Sequence, residues 1–177
     1  GIKRILGSHQ KAKKPILIND LKLIINAIGQ TNQSENKKIR DKTIILIGFS
    51  GGFRRSELVN IEYEDVEFVK EGVKIFIKRS KTDQSGEGMI KAIPYFNNNY
   101  YCPVLSLKEW VEVSEIKSGK IFDISDKSVA LIIKKYASLS GLDPSKYGGH
   151  SLRSGFATSA AESGAEERNI MAMTGHK

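Results

Sequence analysis

Apolar side chains recur every three to four residues in the first third of the chain, which is the spacing of an amphipathic helix. One such stripe lies between Asn19 and Gly29 and consists of Leu21, Ile24, Ile25 and Ile28. It predicts a short helix with Asn19 as its N-cap and Gly29 at its end. A second helix is predicted over residues 37–50. Its run Ile44–Ile47 is apolar on every side, which places this helix at the centre of the core.

After residue 60 the hydrophobic period changes to two, which indicates β-strands. Residues 65–69 and 73–78 alternate between apolar and polar side chains, and a short polar turn separates them. A third alternating run covers residues 89–93 and ends at Pro94. These patterns predict a small antiparallel sheet of three strands, and the hairpin between the last two carries Lys81 at its mouth.

Helical spacing returns in the second half of the chain. Pro103 suits the first turn of a helix on which Trp110 faces the core, and a further helix is predicted over residues 126–140. The next helix opens at His150 and is built from small residues that favour close packing, namely Gly155, Ala157, Ser159, Ala160 and Ala161. A last short helix is predicted over residues 166–173. The predicted fold class is mainly α (α+β), a helical domain with a small three-stranded antiparallel sheet.

Between the buried second helix and the first strand, a glycine pair precedes two arginines. Gly51 and Gly52 allow the chain to turn tightly, and a new helix then starts with Arg54 near its N-terminus. A helix N-terminus already carries a positive dipole end, so an arginine there favours a bound anion such as phosphate. Glu57 lies on the same helical face and is placed to orient the Arg54 guanidinium. A solvated basic turn with a surface Glu–Arg pair remains the alternative.

The net charge of the 177-residue chain is +8, with a pI of about 9.5. This charge favours a polyanionic partner, most commonly nucleic acid, although a merely soluble basic protein is the alternative. Residues 1–15 are basic and indicate an exposed segment or the end of an interdomain linker. Cys102 is the single cysteine, which excludes an internal disulfide and fits a reducing cytosol. No apolar run approaches the roughly 20 residues of a membrane span.

A histidine and a second arginine open the helix of small residues. His150 and Arg153 are three residues apart and therefore share a helix face. Further along the chain, His176 directly follows Gly175. Taken alone, the His-x-x-Arg spacing also fits an exposed polar turn. Two arginines from distant parts of the sequence suit two oxygens of one phosphate, and histidines suit proton transfer at the same group.

Neither a metal-ligand set nor a nucleotide-binding glycine loop is visible in the sequence. The three histidines are scattered, no cysteine cluster exists, and a Walker-type glycine-lysine motif is missing. These observations favour phosphoryl transfer on nucleic acid without a metal or other cofactor.

Four segments together resemble the tyrosine recombinase (phage integrase) family. In chain order they are Gly52-Phe53-Arg54-Arg55-Ser56-Glu57-Leu58, Ser80-Lys81-Thr82-Asp83-Gln84, Gly149-His150-Ser151-Leu152-Arg153 and Gly175-His176. The resemblance covers residues 16–177 as the catalytic domain of that family, and it implies that residues 1–15 are the linker from a missing N-terminal DNA-binding domain. It implies that the catalytic residues are Arg54, Lys81, His150, Arg153 and His176, with Glu57 in support.

The resemblance also implies the fold, the reaction and the partner. The fold would be the integrase type, in which a helical domain with a small sheet grips double-stranded DNA. The reaction would be strand cleavage and rejoining through a 3′-phosphotyrosyl intermediate, without metal or ATP. Members of the family work on DNA as tetramers, whereas we expect this chain alone to be a monomer. The expected location is the cytoplasm, in association with the nucleoid.

One feature of the family pattern is not found in the sequence. The family's tyrosine nucleophile follows the Gly-His position by about nine residues, and none of the six tyrosines of the chain stands there. We therefore interpret residues 16–177 as a catalytic domain truncated before its nucleophile. A catalytically inactive relative that binds DNA as a regulator is the alternative. A generic RNA- or DNA-binding module is disfavoured, because aromatic-rich strands for base stacking are missing.

Overall fold

The computed structural model describes residues 13–78 and 88–162. This part of the chain contains six α-helices and one small sheet. The helices are α1 (Ile18–Gly29), α2 (Glu35–Gly51), α3 (Arg55–Val59), α4 (Pro103–Ser114), α5 (Asp126–Leu139) and α6 (Ser151–Glu162). The strands are β1 (Val66–Val69), β2 (Gly72–Ile77) and β3 (Met89–Pro94), which pair antiparallel in that order. The predicted fold class, mainly helical with a three-stranded antiparallel sheet, is confirmed.

Helix α2 is the centre of the domain. All four residues of Ile44–Ile47 are completely buried, as their apolar surroundings in the sequence predicted. The helix packs against α4, α6 and α1, and Ser34 caps its N-terminus by accepting the N–H of Lys37 at 3.3 Å. Because α2 is held on several sides, the turn at its C-terminus has a fixed position in the domain.

Two local predictions are wrong in detail. The N-cap of α1 is Leu17 rather than Asn19, and Asn19 lies in the first turn of the helix. The start of α1 is set by the burial of Ile16, which draws the extended backbone before Leu17 into the core. In α6 the small residues do not all pack closely, because Ala157 and Ala161 are exposed.

Several other predictions concern residues outside the described ranges. They are the Lys81 hairpin mouth, the helix over residues 166–173, His176 and most of the basic segment 1–15. Of that segment, Lys13 and Lys14 are described and exposed.

The residues before α1 are attached to the start of α6. The N–H of Lys14 donates to the carbonyl of Lys146 at 2.7 Å, and the N–H of Ile16 donates to the carbonyl of Ser151 at 3.0 Å. Gly155, one turn further along α6, lies directly against the Ile16 backbone, since a Cβ at this position would stand 2.2 Å from the Ile16 oxygen. This extended segment therefore fixes the first turns of α6, from which Arg153 projects.

Candidate active site

Helix α2 ends in a tight reversal that brings Arg54 to the surface. Gly52 adopts left-handed backbone angles (φ 63°, ψ 39°), which only glycine adopts without strain. The N–H of the buried Phe53 donates to the carbonyl of Gly48 at 3.0 Å and closes the helix end. The chain restarts at once as α3, with Arg54 as its N-cap residue. The glycine pair thus has the geometry that the sequence indicated.

Glu57 binds both the backbone and the side chain of Arg54. One of its oxygens, Oε1, accepts the Arg54 N–H at 2.8 Å, and Oε2 lies 4.0 Å from the Arg54 Nη1. The Glu57 side chain is only 9% exposed. A carboxylate so far removed from water is stable only beside cations and hydrogen-bond donors. Glu57 is therefore part of a charged cluster and not a surface ion pair.

Arg153 reaches the same turn from α6. Its Nη1 donates to the carbonyl of Gly52 at 3.2 Å and lies 3.9 Å from the Glu57 Oε1. The two arginines are far apart in sequence, yet both contact this one carboxylate. Their side chains remain 36% exposed for Arg54 and 42% for Arg153. Two guanidinium groups held this way form a surface that favours a phosphate anion.

A cleft of about 660 Å³ opens beside Arg54. His150, the residue just before α6, is exposed and lines this cleft. Arg55 is also in the wall, where its Nε lies 3.8 Å from the Asp126 Oδ2. Phe76 of β2 also lines the cleft, together with Lys78, Glu62 and Lys120. The structure thus brings Arg54, Glu57, His150 and Arg153 into one region.

Lys91 on β3 belongs to the same cluster, although its role was not predicted. Its Nζ donates to the carbonyls of Gly51 at 2.7 Å and Gly52 at 3.1 Å, and lies 4.7 Å from the centre of the Phe53 ring. A signal was present in the sequence. Strand alternation places Lys91 on the same face as Ile93, which is buried, so this lysine points inwards.

The surroundings of Lys91 change its acidity. Burial lowers the pKa of this ammonium from 10.5 to about 8; Arg153 and Arg54 lower it too, and only Glu57 raises it. Between pH 8 and pH 10.5, the unfolded chain binds more protons at this lysine than the folded chain does. The folded state therefore gains stability as the pH rises from about 8 towards 10.5.

We expect this gain to be measurable against Lys91→Met, which has no titrating group at this position. The free energy of unfolding of the wild type, minus that of the variant, should rise between pH 8 and 10.5 by up to roughly 3 kcal/mol. Urea unfolding at half-unit pH steps measures this difference. A difference that stays constant across the range would mean that the Lys91 ammonium is not buried in the folded protein.

Two tyrosines have their hydroxyl groups engaged in the interior. The Tyr136 hydroxyl donates to the Asp41 carboxylate, and the Tyr147 hydroxyl donates to the Asp20 Oδ2 at 3.2 Å. Both side chains are buried, and burial raises the pKa of both hydroxyls. Tyr147, which is close to His150 in sequence, is therefore held away from the cleft by its own packing and hydrogen bond.

Cys102 is buried with a free thiol, and its Sγ accepts the N–H of Phe96 at 3.3 Å, which fits a structural role. Within residues 13–78 and 88–162, no three His, Cys, Asp or Glu side chains form a group suited to a metal ion. In the same ranges, none of the helices combines the length and the apolar character that a membrane crossing requires.

Comparison of the sequence with known proteins identifies one family. The model of the phage integrase family matches residues 19–177. The chain is 45% identical to an integrase/recombinase xerD homolog of Selenomonas ruminantium, across 99% of this chain and 54% of that protein. It is 32% identical to a tyrosine recombinase of Agathobacter rectalis, across 84% of this chain and 47% of that protein. The chain thus spans about half the length of the curated relatives it matches.

A solved structure shares the fold at lower sequence identity. The XerH site-specific recombinase bound to its difH substrate superposes with a TM-score of 0.67 over 93% of this chain and 48% of that one, at 21% identity. The family match over residues 19–177 and the identity to these relatives show that the chain belongs to the phage integrase family.

Proposed function

We propose that the protein containing this chain is a tyrosine site-specific recombinase, and that residues 16–177 lie in its catalytic domain. The observation that supports this most directly is the contact of Arg54 and Arg153 with one buried carboxylate, Glu57, at 4.0 and 3.9 Å. Guanidinium groups fixed on two sides of one point suit the charge that develops on a phosphate under attack. The substrate is double-stranded DNA, consistent with the net charge of +8.

In this reaction a tyrosine oxygen bonds to the phosphorus of one DNA strand while the bond to the 5′ oxygen breaks. The strand is then held as a 3′-phosphotyrosyl ester, and the released 5′ oxygen takes a proton. Attack by the 5′ hydroxyl of a partner strand reverses these steps and rejoins the DNA. The free energy of the phosphodiester bond is retained in the phosphotyrosyl ester, so ATP is not needed. Arg54 and Arg153 supply the positive charge that a metal ion would otherwise bring to the phosphate.

Each proposed catalytic residue has a chemical task. Arg54 and Arg153 stabilise the charge on the non-bridging oxygens, and Glu57 holds both arginines. His150 lines the cleft next to Arg54 and is suited to proton transfer or to donation to the same oxygens. Lys81 is proposed to protonate the leaving 5′ oxygen, and His176 to assist at the phosphate. Both assignments rest on the sequence motifs, and both residues lie outside the described ranges.

The assembly is proposed from the family resemblance. The full-length protein would act on DNA as a tetramer in the cytoplasm, at the nucleoid, and the 177-residue chain alone would be a monomer. The alternative is a catalytically inactive relative that keeps the arginines only to bind DNA as a regulator. The two proposals differ in whether a covalent bond to DNA forms.

A nicked suicide substrate tests this difference. Duplexes that bind the full-length protein are first selected from a random pool. They are then rebuilt as a series with the nick at successive positions, so that rejoining is blocked where the nick lies beside the cleaved bond. We expect a protein–DNA adduct that survives denaturation, with the DNA attached to a tyrosine about nine residues after His176. Selection of a binding site without any adduct on the nicked series would reject the recombinase and favour the regulator.

A further inference from the structure

Lys91 donates two hydrogen bonds to the turn from which Arg54 projects and to which Arg153 is anchored. We infer that Lys91 is a positioning residue of the phosphate site, which fixes the Gly51–Gly52 turn and adds a third positive charge behind the two arginines. This inference rests on the proposed recombinase function, under which the two arginines bind a DNA phosphate. It concerns a residue that lies outside the four sequence motifs.

The contacts of Lys91 connect three elements at one point. Its Nζ reaches the carbonyls of Gly51 and Gly52, so β3 is tied to the C-terminus of α2. The Gly52 carbonyl also accepts from the Arg153 Nη1 at 3.2 Å, so β3 and α6 share one acceptor. Arg54 follows this acceptor by two residues. Movement of the turn would therefore displace both guanidinium groups together.

The electrostatic setting is costly for a residue that only supports the fold. The groups that face the Lys91 ammonium are the two carbonyls and the Phe53 ring, together with Arg54, Glu57 and Arg153. The carbonyl end of a helix attracts a cation, but two arginines beside one carboxylate leave a surplus of positive charge. A neutral side chain would avoid this repulsion. A surplus positive charge is useful where a bound phosphate supplies the balancing negative charge.

The first test compares two lysine variants in the full-length protein on the nicked duplex. At saturating DNA, Lys91→Met should lower the rate constant of adduct formation by roughly 10- to 100-fold, because the turn and both arginines lose their fixed position. Lys74→Met is the matched control, since Lys74 lies on the adjacent strand, is exposed and pairs with Ala92 instead of contacting the turn. The control should keep a near wild-type rate constant once the DNA is saturating.

A conservative variant separates the charge of Lys91 from its bulk. Lys91→Arg keeps donors and a positive charge, and should restore the rate constant to within roughly fivefold of wild type near pH 7. Above pH 8 wild-type Lys91 loses its charge, whereas arginine keeps it. The ratio of wild-type to Lys91→Arg rate constants should therefore fall by roughly 3- to 10-fold between pH 7 and 9.5. A purely structural lysine would give a constant ratio.

A second measurement does not require catalysis. The side-chain Nε–H NMR signals of Arg54 and Arg153, assigned from the single alanine variants, should shift or broaden in Lys91→Met and remain in place in Lys74→Met. Unchanged signals together with a wild-type rate constant would overturn the inference. A wild-type protein that binds DNA without forming an adduct would instead overturn the proposed function, and the NMR comparison would still decide the role of Lys91.

Discussion

Arg153→Ala and Arg54→Ala, made singly in the full-length protein, should each lower the rate constant of adduct formation by about 10³- to 10⁵-fold. Each arginine contributes a fixed guanidinium beside Glu57, and the charge on the phosphate is greatest in the transition state. Binding of duplex DNA depends on many phosphate contacts, so its Kd should change by less than roughly tenfold. Adduct formation at saturating DNA and a separate binding titration measure the two quantities.

Arg55→Ala is the matched control for this prediction. Arg55 is the neighbour of Arg54 in the same turn and lines the same cleft, but its ion-pair partner is Asp126, at 3.8 Å, and not Glu57. The variant removes the same charge from almost the same place. It should weaken DNA binding moderately and reduce the rate constant far less than Arg54→Ala does.

The outcomes separate a specific role from a general effect of charge. If Arg55→Ala and Arg54→Ala lost equal activity, the result would indicate that positive potential in the cleft matters more than the geometry around Glu57. If either Arg54→Ala or Arg153→Ala cleaved at nearly the wild-type rate, its assignment as a phosphate-activating residue would be wrong.

The periodicity of the sequence was sufficient to predict the helices and strands around the site. The apolar run Ile44–Ile47 identified the buried helix, and the glycine pair after it identified the turn that exposes Arg54. Both signals are local, because helix burial and left-handed backbone depend on residues close in sequence. For the same reason the prediction of a three-stranded sheet followed from alternation and turn residues alone.

Contacts between distant elements were less predictable. That Arg153 and Lys91 share the Gly52 carbonyl depends on how α6 and β3 pack against the end of α2, which no local pattern specifies. Alternation does place Lys91 on the inner face of β3. An inward lysine is informative because burial of an ammonium is costly, and it could have marked the cluster from sequence. The N-cap of α1 was misplaced because burial of Ile16 outweighed the local capping preference of Asn19.

Gly155→Ala should destabilise the protein and impair the site, even though alanine is the better helix former. In a helix with free space, the change from glycine to alanine would gain about 1 kcal/mol. Here the new Cβ would lie 2.2 Å from the Ile16 carbonyl oxygen, which is backbone and has no rotamer to change. Helix α6 or the segment before α1 must then move. We expect a net loss of roughly 2 kcal/mol and a Tm lower by about 4–8 °C.

Displacement of α6 should also move Arg153 relative to Gly52 and Glu57. Arg153 lies half a turn before Gly155 on this helix, and its contacts with Gly52 and Glu57 are made at 3.2 and 3.9 Å. A shift of about 1 Å at this distance from the phosphate costs on the order of 100-fold in rate. The reduced rate constant should be visible at temperatures well below the Tm, where the variant is fully folded.

Gly148→Ala is the control, because the nearest atoms to a Cβ there belong to the flexible Lys13 side chain, starting with its Cγ at an ordinary 3.5 Å. This variant adds the same methyl group near the start of the same helix, and its Tm and rate constant should stay near those of the wild type. A Gly155→Ala variant with an unchanged Tm would show that the segment before α1 can shift at little cost in folding free energy. A lowered Tm with a normal rate constant would show instead that Arg153 is positioned by the Gly52 turn and not by the attachment of α6 to Ile16.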